Sequence, residues 1–325
     1  MKKLSIIAIL SLMAAAFVVA IVSCKKDKTT TISSATDPCI GMLHFNSSEE
    51  FVETQQKVLA MTVAERREWE QQQGFKSYAT KCEELFEEFE ANGINSDEDI
   101  YNFVKENPDY FYIREEEGEL YLTSYLENLP CSYLVNEKQL IQSNDKIIKA
   151  FANGYASLDF KDLSIIDDLK SLDDCIPFQN ITVSQITSKS IVKKQFRQDN
   201  TDGDGRERTL AEVYITNTPV DTWESVFFIR PYKKTLGVWY YAKRTITGEM
   251  VAHWRYKRSS ADQWWPGEGE DHIIKEVGRY AYSYTSILDE LPWVNYYLHS
   301  AEYTMINGWA DTESTPVCYC LLNAN

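Results

Sequence analysis

Apolar residues between positions 46 and 107 recur at the spacing of helices, in four successive runs. Three runs begin with a polar residue followed three positions later by Glu or Asp, a pair that can form a capping box. Three runs end at a Gly, an Asn or an Asn-Pro pair, which are typical helix ends. The capping pairs are Ser47 with Glu50, Thr62 with Glu65, and Ser96 with Asp99, and the ends lie at Gly74, Asn92 with Gly93, and Asn107 with Pro108. Four helices are therefore predicted, the third over residues 76–91.

After residue 110 the apolar spacing shortens to that of strands. Two runs around Glu117 and Gly118 predict a small hairpin, further short strands follow, and a mixed run at 160–172 predicts one more helix. The short strands are predicted at 110–114, 119–125, 133–135, 139–142 and 146–151. Residues 173–177 are the best candidate for a domain boundary.

Residues 180–325 are rich in aromatic residues and show the pattern of strands, which predicts an antiparallel sheet. Thr247, Gly248 and Glu249 are predicted to form the turn of a long hairpin. The predicted strands are 181–197, 210–216, 225–230, 236–246, 250–258, 280–287, 295–299, 303–306 and 317–322.

Helices followed by strands predict the α+β class. Three parts are expected. Residues 39–109 form an acidic helical module, residues 110–175 a mixed segment of small hairpins and a helix, and residues 176–325 an aromatic-rich, mainly antiparallel β domain.

The first 24 residues have the pattern of a secretory signal: Lys2 and Lys3, then an apolar run, then a small residue before Cys24. The sequence Ile-Val-Ser-Cys that ends at Cys24 resembles the lipobox of bacterial lipoproteins. That resemblance implies a cleaved signal peptide over residues 1–23, fatty acids such as palmitate on Cys24, and a membrane as partner. Residues 24–38 are then a tether, and Lys25 favours the outer membrane, with the protein facing the periplasm or the cell surface. The alternative is an uncleaved signal-anchor helix.

The formal net charge of the whole chain is −16, which argues against nucleic acid as a partner. Residues 45–119 carry 20 Asp and Glu against 7 Lys and Arg, whereas residues 225–260 carry eight Lys and Arg against the single acid Glu249. The acidic part is interpreted as a solvated face, with a docking surface as the alternative. The basic part is interpreted as a solvated sheet face or as one covered by the acidic helices of the same chain.

Six cysteines remain after Cys24. In an exported protein an even number permits up to three disulfides, and buried free thiols are the equal alternative. The six are Cys39, Cys82, Cys131, Cys175, Cys318 and Cys320.

The best candidate for ligand binding is the polar loop that contains Trp264 and Trp265. Exposed aromatic rings can serve as platforms for sugar rings or for a partner protein. Arg255 and Lys257 share a strand face by period two and are expected to assist. The alternative is that one or both Trp side chains fold back over the end of the sheet.

Asn200, Asp202 and Asp204 stand at the first, third and fifth positions of a calcium-loop pattern. The twelfth position is Ala211 where the pattern needs a Glu, so a hairpin turn without metal is favoured. No cofactor motif is present, and no cofactor or metal is expected.

No Gly-x-Ser-x-Gly, His-Glu-x-x-His or phosphate-binding loop is present. Together with the lipobox, the α+β pattern resembles uncharacterised outer-membrane lipoproteins of gut-type Gram-negative bacteria. The first hypothesis is a lipid-anchored binding or scaffold protein for an envelope or extracellular glycan or protein. The alternative is an envelope hydrolase that uses a carboxylate or a His-containing site in the β domain.

Overall fold

The computed structural model describes residues 41–127, 129–185, 194–199, 206–220, 223–235, 237–257, 265–266, 270–279, 282–287, 300–312 and 315–323. For residues 194–199, 211, 213–215, 223, 225, 227 and 229, and from residue 244 onward, only the backbone is described. Residues from Cys39 to Asn325 fall in one compact unit.

Four helices form where the apolar periodicity predicts them: α1 (Ser48–Leu59), α2 (Val63–Gln73), α3 (Tyr78–Ala91) and α4 (Asp97–Glu106). The predicted capping boxes at Thr62 and Ser96 are both present. At α1 the Ser47 hydroxyl accepts the amide of Glu50, but the Glu50 carboxylate accepts from the amide of Asn46 instead of Ser47. α2 ends at Gly74 in the left-handed conformation, with φ of 64°, where a glycine avoids the strain of a Cβ.

Seventeen strands follow or interleave with these helices in the described residues. They are β1 (His44–Phe45), β2 (Phe111–Glu116), β3 (Glu119–Ser124), β4 (Leu140–Ser143), β5 (Lys146–Phe151), β6 (Gly154–Asp159), β7 (Thr182–Gln185), β8 (Lys194–Asp199), β9 (Glu207–Asn217), β10 (Trp223–Thr235), β11 (Val238–Tyr241), β12 (Arg244–Lys257), β13 (Trp265–Pro266), β14 (Glu270–Arg279), β15 (Tyr282–Ile287), β16 (Ser300–Thr312) and β17 (Thr315–Asn323).

The strands form three sheets, in the orders β1-β4-β5-β6-β7, β2-β3-β11-β10-β9-β8 and β13-β12-β16-β17. β15 also pairs with β10, and β14 also pairs with β12. All these pairings are antiparallel except β1 with β4 and β3 with β11. The predicted α+β class is confirmed.

Three predicted elements are wrong. The hairpin turn at Thr247, Gly248 and Glu249 does not exist, because β12 runs straight through it and Gly248 pairs with Ala310 and Ile274 on its two sides. A glycine inside a strand therefore gave a false turn signal. The strand predicted at 133–135 is replaced by the 3₁₀ turn Pro130–Tyr133.

The third wrong element is the helix predicted at 160–172, where the structure has the 3₁₀ helices Phe160–Ile165 and Asp173–Cys175. Ile166, Leu169, Leu172 and Cys175 are all buried. Of these four, only Cys175 lies in a 3₁₀ helix, whereas Ile166, Leu169 and Leu172 lie in the turn and irregular segment between the two 3₁₀ helices, and Phe160–Ile165 contains no buried residue. Their spacing of three residues does not follow the 3.6-residue period of an α-helix.

One hydrophobic cluster of the described residues joins the helices to the second sheet. Phe86 of α3 contacts Tyr241 of β11 with ring centroids 5.4 Å apart, and Phe89 stacks on Phe103 of α4 at 4.3 Å. A second cluster, centred on Leu140, Ile147 and Leu158, lies within the first sheet. The domain boundaries proposed from the sequence remain a prediction.

Cys82, Cys131 and Cys175 are buried and free, so the arrangement with three disulfides is wrong. Burial fits these thiols because a free Cys packs as a small apolar residue. Cys24 and Cys39 lie outside the described residues, and the side chains of Cys318 and Cys320 are not described. Among the described helices, none is long and apolar enough to cross a membrane.

The acidic helices cover part of the basic segment, as one of the sequence interpretations proposed. Lys243 contacts Glu87 at 3.1 Å, and Lys233 contacts Glu90 at 3.5 Å, both on α3. The helical module therefore neutralises some cations of the second sheet within the same chain.

Candidate functional site

Three of the four residues predicted to bind a ligand, Arg255, Lys257 and Trp265, lie on strands of the third sheet. The backbone of Arg255 in β12 pairs with Pro266 on one side and Glu302 on the other, and Tyr256 pairs with Trp265. Lys257 pairs with Ser300. The register thus brings the strands of Arg255 and Trp265 together.

Other predicted site residues lie outside the described part of the chain. They are Cys24, Asn200, Asp202, Asp204 and Trp264. The loop with the calcium-like pattern joins β8 to β9, which pair antiparallel as the hairpin interpretation requires. Within the described residues no group of three or more metal-ligating side chains comes together.

A cavity of about 70 Å³ lies between helix α3 and the second sheet. Helix α3 supplies one wall, the β2–β3 hairpin with the turn after it supplies the second, and β10 and β11 supply the third. The lining residues are Tyr78, Ala79, Cys82, Glu83 and Phe86; Phe111, Ser124, Leu126 and Glu127; Ser132 and Tyr133; and Phe228, Arg230 and Tyr241. We refer to this cavity as the α3 pocket.

An ion pair of two buried side chains forms part of the α3 pocket. Arg230 Nη1 lies 2.9 Å from Glu127 Oε1, and the side chains are 2% and 5% exposed. Arg230 Nη2 also donates to the backbone oxygen of Glu127 at 3.2 Å, and Nη1 donates to the Tyr232 hydroxyl at 3.1 Å. Burial is the largest single effect and lowers the pKa of Arg230, but the combined influence of Glu127 and the neighbouring Tyr232, Tyr241 and Glu212 outweighs it and raises this pKa. The guanidinium is therefore charged at every pH at which the protein is folded.

Tyr241 connects the ion pair to the hairpin. Its hydroxyl accepts the amide of Ser124 at 2.8 Å and donates to Glu127 Oε2. Burial, followed by the nearby charge of Glu127, raises the pKa of Tyr241. The Tyr241 hydroxyl therefore keeps its proton and acts as a fixed donor.

The opposite wall carries a second charge pair and a buried thiol. Glu83 accepts from Arg66 Nη2 at 2.6 Å, and the Arg66 guanidinium lies over the ring of Tyr133 at 4.7 Å. Burial raises the pKa of the Cys82 thiol, so this cysteine is protonated and unsuited to nucleophilic attack. The pocket can therefore recognise a ligand through contacts with its aromatic rings and with charged side chains that are already paired.

Sequence analysis missed Glu127 and Tyr241 and placed Arg230 only in a basic segment. Val226, Phe228, Arg230 and Tyr232 alternate along β10 and are all buried. The positions between them include the apolar Phe227 and Ile229, so the sequence alone does not assign Arg230 to a buried face. No pattern in the sequence identifies Glu127 as the partner of Arg230, since the two residues lie 103 positions apart in the chain.

No family model and no curated protein matches the chain. A solved structure of a DUF4848 family protein from Bacteroides thetaiotaomicron is similar at 14% sequence identity, with 88% of this chain and 98% of that chain covered. Its TM-score is 0.31, a level at which the likeness carries no argument about this chain.

Proposed function

We propose that the chain is a lipid-anchored binding protein of the bacterial cell envelope, whose ligand is an envelope or extracellular glycan or protein. The signal pattern that ends at Cys24 supports the anchor. Two or more acyl chains on this residue are enough to hold a folded protein stably at a membrane. The tether from Lys25 onward then carries the compact unit on the outer membrane, facing the periplasm or the cell surface.

The observation that carries the binding function is the α3 pocket. Concave sites lined mainly by apolar and aromatic side chains, with a few fixed polar groups, are the usual form of ligand sites. Phe86, Phe111 and Phe228 supply the apolar surface, and Glu127 with Arg230 supply the fixed polar groups. The pocket is small, so it receives a projecting group of the ligand and not the whole of it.

Trp264 and Trp265, with Arg255 and Lys257, remain the proposed second contact for the ligand. Aromatic platforms add contact area for a glycan or protein that extends beyond a small pocket. The proposal therefore assigns two sites, each of which can be removed separately by substitution.

The test is a binding panel of glycans, peptidoglycan fragments and peptides, presented to the chain from Lys25, which contains the whole compact unit. Ala79→Leu fills the α3 pocket from its own wall, and Ala91→Leu places the same side chain at an exposed position of the same helix. We expect at least one ligand of the panel to bind the wild type and Ala91→Leu but not Ala79→Leu. Thermal unfolding of both variants establishes that they are folded.

The Trp264→Ala, Trp265→Ala double variant is measured beside them. A ligand lost only from this double variant would move the site from the α3 pocket to the third sheet. Retention of every ligand by Ala79→Leu and by the double variant would contradict the proposal at both sites.

A hydrolase is the second candidate, because two carboxylates, Glu83 and Glu127, line the same pocket. Glycoside hydrolases use such a pair, in which one carboxylic acid donates a proton to the leaving group. Here each carboxylate faces an arginine, Arg66 or Arg230, which favours binding over proton donation. Release of nitrophenol from a set of nitrophenyl glycosides by the wild type, and its loss in Glu127→Gln, would favour the hydrolase.

A further inference from the structure

We propose that the α3 pocket accepts a short, uncharged aliphatic group of its ligand, about three carbons long. The inference rests on the proposed binding function and specifies its chemistry. It follows from three properties of the pocket: its volume, the hydrogen bonds that the Tyr78 and Tyr241 hydroxyls already make, and the balance of its charges.

The volume limits the size of the group. An apolar cavity of about 150 Å³ holds one benzene ring. The α3 pocket measures about 70 Å³, roughly half of that volume. A benzene or sugar ring is therefore too large to lie wholly inside, whereas a propyl or isopropyl group is of the right size.

The two hydroxyls of Tyr78 and Tyr241 that line the pocket are already engaged within the chain. The Tyr78 hydroxyl donates to the backbone oxygen of Tyr110 at 3.0 Å. The Tyr241 hydroxyl is held between the Ser124 amide and Glu127. A hydrogen-bond acceptor of a ligand could bind these hydroxyls only by displacing the donation that each already makes, and the displaced acceptor would be left buried and unsatisfied. An aliphatic group makes no such demand.

The charges of the pocket are balanced in the same way. Arg230 is paired with Glu127, and Glu83 is paired with Arg66. Neither a cation nor an anion entering the pocket finds an uncompensated charge, and each would have to give up its own hydration. Phe86, Phe111, Leu126 and Phe228 provide the apolar contacts that an aliphatic group gains on entry.

The experiment uses methyl NMR of the chain from Lys25, with ¹³C in the methyl groups of Ala79 and Leu126, which both line the pocket. The probes are dissolved propane, benzene, propylammonium and propionate. We expect propane to shift both methyl signals in a saturable manner, and the other three probes to leave them unchanged. The Leu126 shift should vanish in Ala79→Leu and persist in Ala91→Leu.

Benzene binding as well as propane would overturn the size limit, and binding of either ion would overturn the requirement for an uncharged group. Absence of a propane shift would overturn the aliphatic class itself. In that case, a ligand of the panel that binds the wild type but not Ala79→Leu would still support the proposed binding function. Failure of the aliphatic class can thus be distinguished from failure of the binding function.

An aliphatic group of this size occurs both in peptide side chains and at the ends of acyl chains. Displacement of propane by N-acetylvaline amide would support a protein ligand, whereas displacement by dihexanoylphosphatidylcholine alone would identify a lipid and contradict the ligand class proposed above. Displacement by neither would show that propane fills the pocket only as a free gas and would overturn the assignment to a ligand group.

Discussion

Glu224 is expected to hold a proton at neutral pH, and replacing it with glutamine tests this directly. Its side chain is buried on β10 and accepts a hydrogen bond from Gln55 Nε2 of α1 at 2.5 Å. The other amide atom, Gln55 Oε1, is buried and has no hydrogen-bond partner within the described residues. A protonated Glu224 can donate to Gln55 Oε1 while it accepts from Nε2, which satisfies both buried groups.

The magnitude follows from the effect of burial on the carboxyl group. Burial raises the pKa of Glu224 from 4.5 to about 8, against a smaller opposing effect of the hydrogen bond from Gln55. Between these two values the unfolded chain loses the proton and the folded chain keeps it. Stability from this group is therefore complete below pH 4.5 and falls by about 1.4 kcal/mol per pH unit until pH 8. Over the whole interval the loss is on the order of 5 kcal/mol.

The assay is urea unfolding at pH 5, 6, 7 and 8 for the wild type and for Glu224→Gln. The variant amide copies the protonated acid, since it can also donate to Gln55 Oε1 and accept from Nε2. We expect the two proteins to have similar free energies of unfolding at pH 5, and the variant to be the more stable by several kcal/mol at pH 8. The difference between the two curves isolates this group from all others that titrate.

Glu53→Gln is the matched control, because Glu53 is an exposed residue of the same helix as Gln55. It should follow the wild-type curve. Parallel curves for the wild type and Glu224→Gln between pH 5 and 8 would refute the assignment of a proton to Glu224.

Three further predictions concern the anchor, the ion pair and the pocket. Cys24→Ser should abolish fatty acids in mass spectrometry of the native N-terminus and move the protein to the soluble fraction; unchanged fractionation would contradict the proposed anchor. Arg230→Met leaves Glu127 buried and unpaired and should lower the free energy of unfolding by about 3–5 kcal/mol, whereas Arg230→Met with Glu127→Leu should cost less. Ala79→Leu should raise the free energy of unfolding by at most about 1.7 kcal/mol, from the 70 Å³ cavity at about 24 cal/mol per Å³; a loss instead would show overpacking.

The helices could be predicted well because their signals are local. Thr62 with Glu65 and Ser96 with Asp99 form the capping boxes that their spacing indicates, and Gly74 ends α2 as a left-handed residue. These interactions depend only on residues within one or two turns. The strand at Gly248 could not be predicted, because the pairing that keeps it extended comes from Ala310 and Ile274, which are distant in sequence.

The pocket is harder to predict than the helices. Apolar residues occupy both phases before Arg230, so its face cannot be assigned from the sequence. Its partner Glu127 is brought there by the pairing of β3 with β11 and of β11 with β10. Sheet order is a property of the whole chain and not of any segment, so neither the burial of this charge nor the residue that neutralises it could be predicted.

The contact between the acidic helices and the basic sheet allows a final prediction about which force holds them together. Lys243 and Glu87 are 44% and 30% exposed, and an ion pair of this kind contributes about 0–1 kcal/mol. Phe86 lies on the same helix, is 1% exposed and packs on Tyr241, and removing such a ring costs about 3–5 kcal/mol. We therefore expect Phe86→Ala to lower the free energy of unfolding several times more than Lys243→Met, and only Lys243→Met to lose its effect in high salt. Equal costs for the two variants would show that charge, and not the apolar core, docks the helices on the sheet.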